Sequence, residues 1–219
     1  MVRAELRRQE IDWENTNIHI SKEDLEREQA HEEAIKQTKQ YLNRNFPRFY
    51  TVNNVYYETE VFNDEAGMYE VLHVDHILIG DQAMYVIKTV NFPGKKVCSR
   101  RVSNADRENQ RCREYMQQLA EETAGVEIPT IGIVNVTGLT EEAMHMNLDL
   151  GHHVVPITDL ADKIRHYEKT IDNERVVYDN SDRLVRKFKE EEVYDNIVPQ
   201  IRDVELKHRI YMKLSQTHG

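Results

Sequence analysis

Glycine and proline are scarce in this 219-residue chain, at eight and five residues, which excludes collagen-like and Pro/Gly-rich low-complexity architectures. Cysteine is scarcer still, with only Cys98 and Cys112. Two thiols without metal-ligand spacing make neither a disulfide framework nor a zinc site, and they read as reduced thiols of a cytoplasmic protein. No run of about 18 apolar residues occurs, so no membrane-spanning helix and no membrane partner are expected. The opening MVRAELRRQEIDWEN is charged throughout and lacks the apolar core of a secretory signal, so a soluble protein that is not exported is expected. A surplus of positive charge is missing too. The net charge is −10, so phosphate is repelled on average, and nucleic-acid contact requires a local basic patch. Gly-rich phosphate loops, a Ser-His-Asp order and Cys-based metal motifs are also lacking, which leaves other enzyme classes without support.

What is present suits one α/β domain with an appendage. Hydrophobic residues make up 39% and charged residues 31%, enough for a core that leaves part of the chain outside it. Residues 1–20 are a polar leader. Ser21 opens a helical stretch with Asp24 three residues on, and Leu25, Ile35, Thr38, Tyr41 and Leu42 form a thin stripe that Pro47 ends at the latest. FYTVNNVYYETEVF (49–62) reads as one or two strands, followed by a turn at 63–67. VLHVDHILIG (71–80) is the strongest strand signal, with apolar residues on both alternating sets, as in a strand covered on both faces. AMYVIKTV (83–90) returns as its hairpin partner, and Asn91-Phe92-Pro93-Gly94 is expected to break it. The spacing then predicts a short strand at 97–103, a helix at 104–124, a strand at 130–137, a short helix or loop at 141–151, a strand at 152–156 and a helix at 157–170. From about 170 the pattern turns to charged helices, 181–191 and 203–214, with Pro199 between. This extension (170–219) is either a satellite packed on the domain (21–169) or an arm for a protein partner or a second copy, with Phe188, Tyr194, Ile197, Ile210 and Tyr211 as contacts. The fold class expected is α/β, a mixed central sheet flanked by helices, with a helical C-terminal extension.

The hairpin carries a more specific signal. Val74-Asp75-His76-Ile77, then Val86-Ile87, Asn91 and Gly94, resemble the paired strands of the nuclease-related (NERD) domain. Glu32, three residues before Ile35, Gln110 in the helix after Asn104, and the segments IGIVNV and HHVVPITDLADKI are similar to further parts of that family, over about residues 30 to 166. The resemblance implies a restriction-endonuclease-like fold of the PD-(D/E)XK superfamily. It also implies metal-dependent phosphodiester hydrolysis with Mg or Mn, and Glu32, Asp75, the residue at 88 and Gln110 as the catalytic positions. Such hydrolysis uses a divalent ion to polarise phosphate and acidify water. Hard ions take carboxylate oxygens, and a lysine two residues past the second carboxylate shares its strand face. Here the second carboxylate position is Lys88 and the lysine position is Val90. An ammonium beside Asp75 competes with a metal for it, and the swap changes local charge by about two units. The site is therefore expected to be degenerate, with Asp75 as the remaining metal ligand. The alternative is a non-catalytic nucleic-acid-binding or protein-interaction module on the same fold.

Other readings accompany these residues. Asp75 and Lys88 can form a structural ion pair. His73, two residues before Asp75, is a substitute ligand or a hydrogen-bonded histidine. His76 faces the other way and packs, and His152-His153 point to opposite sides. Lys95, Lys96, Arg100, Arg101, Arg107, Arg111 and Arg113 outnumber Asp106, Glu108 and Glu114 just after the hairpin. They are candidates for phosphate contacts that position nucleic acid without reading it, or else a solvated helix face. No aromatics interleave them, which argues against single-strand base stacking.

Overall fold

The computed structural model describes residues 22–63, 68–94, 99–139, 153–172 and 174–192. The chain divides into two compact units, Met1–Glu26 with Asp195–Gly219, and Arg27–Tyr194. All five strands found among the described residues belong to the second. In chain order the elements are α1 (Lys22–Asn45), β1 (Tyr50–Asn63), β2 (Met68–Ile79), β3 (Met84–Gly94), α2 (Ser99–Ala124), β4 (Thr130–Leu139), β5 (Val154–Pro156), α3 (Ile157–Thr170) and α4 (Val176–Glu190). The strands lie in the order β1-β2-β3-β4-β5. The first three are antiparallel neighbours and the last two join in parallel, so the sheet is mixed and helices cover both faces.

Alternation along the strands sorts the core into two layers. Ile77, Ile79, Met84 and Val86 pack with Cys112, Met116, Leu119 and Ala120 of α2 and with Val177, Leu184 and Phe188 of α4. Leu78, Tyr85, Ile87 and Ile133 face the other way, against Leu42 and Phe46 of α1 and Leu160, Ala161 and Ile164 of α3. A third cluster, Val90, Phe92, Val102, Ala105, Val134 and Val136, closes the rim where α2 begins.

Several sequence expectations change. NFPG does not break the hairpin, because β3 runs on to Gly94 beside β4, with a register shift between Asn91 and Gly94. A strand at an irregularity tolerates proline. Of the short strand expected at 97–103, the described part from Ser99 on is instead the start of α2, with Val102 and Ala105 buried. Within the expected C-terminal extension, α4 belongs to the same compact unit as the sheet, as a packed satellite would. Phe188, expected as a docking contact, is fully buried in its core. Tyr194 lies just past the described residues, as do Ile197, Ile210, Tyr211, the second charged helix, the 141–151 segment and the leader.

Candidate functional site

The site begins with a break in the β1–β2 ladder. Partners run in register through Asn53↔His76 and resume at Val55↔Val74, with Asn54 and Asp75 between them. Asn54 holds a left-handed φ of 56°, a conformation asparagine tolerates better than most residues. Both strands turn over at this step. Val52, Val55 and Tyr57 share one core cluster, as do Leu72, Val74, Ile77 and Ile79, so the repeat of two becomes three across each break. The apolar residues on both alternating sets of β2 therefore have two causes, cover on both faces and a change of face.

The β2–β3 ladder ends at His76↔Ile87. Just past it, Asp75 Oδ2 accepts a hydrogen bond from the Thr89 amide at 2.7 Å, supplying the acceptor that a strand carbonyl would otherwise provide. Its Oδ1 lies 3.3 Å from Lys88 Nζ, with the Asp75 side chain 0% and the Lys88 side chain 12% exposed. The two positions that the resemblance implies as neighbours, Asp75 and Lys88, are thus brought together. Lys88 also approaches Glu108 Oε2 of α2 at 3.6 Å, and Glu108 is half exposed. The ammonium sits between a buried carboxylate and a solvent-facing one.

Burial alone would raise the Asp75 pKa, but Lys88, then His73, His31 and His76 outweigh it and bring it down to about 2. Burial pulls Lys88 down, and the charges of Asp75 and Glu108 more than reverse this, so Lys88 stays protonated. An ammonium held in that state is a fixed cation and a poor nucleophile.

Histidines ring the pair. His73 Nδ1 is 3.6 Å from Asp75 Oδ1, its Nε2 is 2.9 Å from Asn54 Oδ1, and its ring stacks on Tyr56. That is a hydrogen-bonded histidine second to Lys88 as partner of Asp75. His76 turns to the α1 side, bonded through Nδ1 to Asn53 Oδ1 at 2.8 Å, and burial lowers its pKa to about 4. Below α1, Thr38 receives the Asn135 amide at 2.9 Å and the Thr89 hydroxyl at 3.4 Å. Asn91 Nδ2 donates to the Ala30 carbonyl at 3.0 Å. At Ala30 and Thr38 α1 therefore meets polar groups of the sheet, and at Leu42 and Phe46 the chain meets an apolar layer. Among the described residues, His76 Nε2 and Asn135 Oδ1 are buried atoms with no hydrogen-bond partner, and Asp75 Oδ1 has only its ion pairs with Lys88 and His73.

The remaining expected residues fall elsewhere. Glu32 is exposed, and the α1 residue whose charge acts on Asp75 is its half-buried neighbour His31. Gln110 is exposed and donates to Glu114 of its own helix at 3.0 Å. One position earlier, about 100° around the helix, buried Asn109 donates to the Val86 carbonyl at 3.2 Å and the Ile133 carbonyl at 3.1 Å, pinning α2 over the β3–β4 pair. Val90 is an apolar core residue. Cys112 is buried beside this cluster, its thiol pKa pushed up to about 11 by burial, so it is no reactive thiolate. Arg100, Arg101 and Arg107 are exposed on α2, with Arg101 over the Phe92 ring. Arg111 pairs with Glu70 and Arg113 with Glu114. Lys95 and Lys96 lie outside the described residues, as does His152, while His153 is exposed. Asn53, Asn54, Asn135 and Asn109 are not among the sequence candidates, and Thr38 is there only as part of the stripe of α1. For Asn53, Asn54 and Asn135 the available signal is asparagine inside strands, where it is normally depleted.

Mg or Mn requires several hard oxygens converging on one point. Here one Asp75 oxygen is engaged by an amide, the other faces an ammonium, and the adjacent strand supplies Lys88 and Val90 where carboxylate and lysine would stand. The residues present do not fit such an ion.

The fold and site define an α/β protein with a five-stranded mixed sheet and a buried Asp–Lys pair at the fork of a hairpin. No protein-family model matches the chain, and no curated protein does. Among solved structures it is similar to protein VC1899 from Vibrio cholerae, at 12% identity and a TM-score of 0.32, over 69% of this chain and 36% of that one. The chain thus spans about a third of that protein, and a likeness this slight carries no argument.

Proposed function

We infer that the protein is a nuclease-related, NERD-like module of the restriction-endonuclease-like kind with a degenerate phosphodiesterase centre. It takes part in nucleic-acid processing by binding, not by metal-dependent cleavage. The observation that carries this reading is the 3.3 Å contact between Lys88 Nζ and Asp75 Oδ1 on neighbouring strands. Two carboxylates at these positions would make a divalent-ion site, whereas a carboxylate and an ammonium neutralise each other. The hairpin motif Val74-Asp75-His76-Ile77 and Val86-Ile87, meeting at that pair, supports kinship with the nuclease-related domain. The protonated state of Lys88 supports loss of the chemistry.

The test is incubation of the purified protein with supercoiled plasmid and either Mg²⁺ or Mn²⁺, beside Asp75→Ala. The expected result is no nicking above the level of the variant. Cleavage that disappears in Asp75→Ala would overturn the reading.

A further inference from the structure

We propose that one exposed line of α2, Arg100, Ser103, Asn104, Arg107, Gln110 and Arg111, is a docking track for the phosphodiester backbone of a nucleic acid. The proposal rests on the nucleic-acid reading above and gives it a surface.

Helical geometry builds the line. Residues 100, 104, 107 and 111 are spaced by four, three and four, which keeps them on one side of a helix. All are exposed, as are Ser103 and Gln110 beside them. The opposite side is buried by Val102, Ala105, Asn109, Cys112 and Met116. The arginine line is therefore what α2 presents to solvent. From Arg100 to Arg111 it spans about 16 Å at ~1.5 Å per residue.

Charge and chemistry choose the partner. In a chain of net charge −10, the line holds three arginines and no carboxylate before Glu114. Asp106 and Glu108 project from the flanks of the helix, and Glu108 is turned toward Lys88. Arg111 has Glu70 as its partner, while Arg100 and Arg107 have no ion-pair partner among the described residues. Two uncompensated guanidinium groups about 10 Å apart along the axis suit a ligand with repeating anions, and each group can grip a phosphate through two parallel hydrogen bonds. No apolar or aromatic residue lies on the line, so it lacks the anchor that the core of a protein–protein interface needs. That favours a polyphosphate backbone over an acidic protein.

The experiment is fluorescence anisotropy of a labelled 20-nucleotide single strand, and of its duplex, titrated with the full chain at several KCl concentrations. Arg100→Gln/Arg107→Gln is the variant. Arg186→Gln/Lys189→Gln, exposed on α4, removes the same charge elsewhere. The expected result is binding by the native chain and the α4 variant, and at least tenfold weaker binding by the α2 variant at low salt. The slope of log K against log salt should become shallower by roughly 1.4 for the single strand or 1.8 for the duplex, as for two lost phosphate contacts. Which form binds tighter distinguishes the two sources of the backbone. Equal loss in both variants, no binding at low salt, or equal affinity for polyglutamate would each overturn the proposal. None of these results bears on the Asp75–Lys88 pair, which the plasmid assay addresses separately.

Discussion

Asp75 and Lys88 are buried charges that tolerate burial because each has the other. Removing one leaves a charge without water or partner, which costs about 3–5 kcal/mol, whereas replacing both by neutral groups of like shape is often nearly neutral. Lys88→Met should therefore lower unfolding free energy by about 3–5 kcal/mol, and adding Asp75→Asn should recover most of the loss, as read from urea denaturation. Equal and additive losses would show that the two side chains are not coupled. A second residue-scale prediction concerns pH. The His76 pKa is lowered from 6.5 to about 4, with burial as its largest cause. The unfolded chain therefore takes up that proton first, and the stability from neutral His76 is full above about 6.5 and is lost as pH falls toward 4. His76→Asn should flatten that part of the stability–pH curve by about 2–3 kcal/mol. The Asp75 pKa is lowered from 3.8 to about 2, so its contribution is present above about 3.8 and vanishes only as pH falls toward 2.

Elements are held by contacts of a different kind. Glu168 of α3 clasps the β2–β3 turn, accepting the Asp81 and Gln82 amides at 3.0 Å each and the Tyr85 hydroxyl at 2.6 Å. A Cβ at Gly80 would push that carboxylate from its place, so glycine there leaves room for the clasp. Glu168→Ala should cost about 2–3 kcal/mol and speed hydrogen exchange at Asp81 and Gln82, while protection of the β3 interior persists. α4 gives another case. With Phe188 buried against the α2 side of the sheet, Phe188→Ala should cost about 3–5 kcal/mol in a single cooperative transition seen by circular dichroism. A docking arm would lose far less. Sequence periodicity was enough for the hairpin, for β4 and for α3, because alternating or helical apolar spacing depends on local geometry alone. It did not make Asp75 and Lys88 neighbours; that expectation came from the resemblance of the hairpin, and the turn at Gly80-Asp81 fixes the register that brings them together. Periodicity could not reach the break at Asn54, where two strands turn over together. Nor could it choose Asn109 over Gln110, a decision made by how α2 rotates onto the sheet. The extension of β3 through Pro93 depends on β4 arriving alongside, a long-range contact invisible to local preference.

For the whole molecule, charge at this centre is balanced by its own side chains. Asp75, Lys88 and Glu108 sum to −1 locally, and the ammonium neutralises the buried carboxylate from inside the fold. Lys88→Glu would turn the cluster to −3 and place two carboxylates side by side at the end of the β2–β3 ladder. That variant should melt well below the native chain and recover on addition of Mn²⁺, because a ligand that binds only the folded state stabilises it by about 2.7 kcal/mol at a hundred times its dissociation constant. The native chain should keep the same melting temperature with Mn²⁺ or a chelator. An acidic surface can attract cations weakly anywhere, so the control is Asp75→Asn/Lys88→Glu, which keeps the surface and removes one of the two converging carboxylates. Recovery in Lys88→Glu but not in this control would show that the fold aims both positions at one point, as kinship with metal-dependent nucleases requires. A Lys88→Glu protein indifferent to Mn²⁺, or a native chain stabilised by it, would count against that geometry, and the Asp75–Lys88 contact would then be an ion pair with no catalytic ancestry.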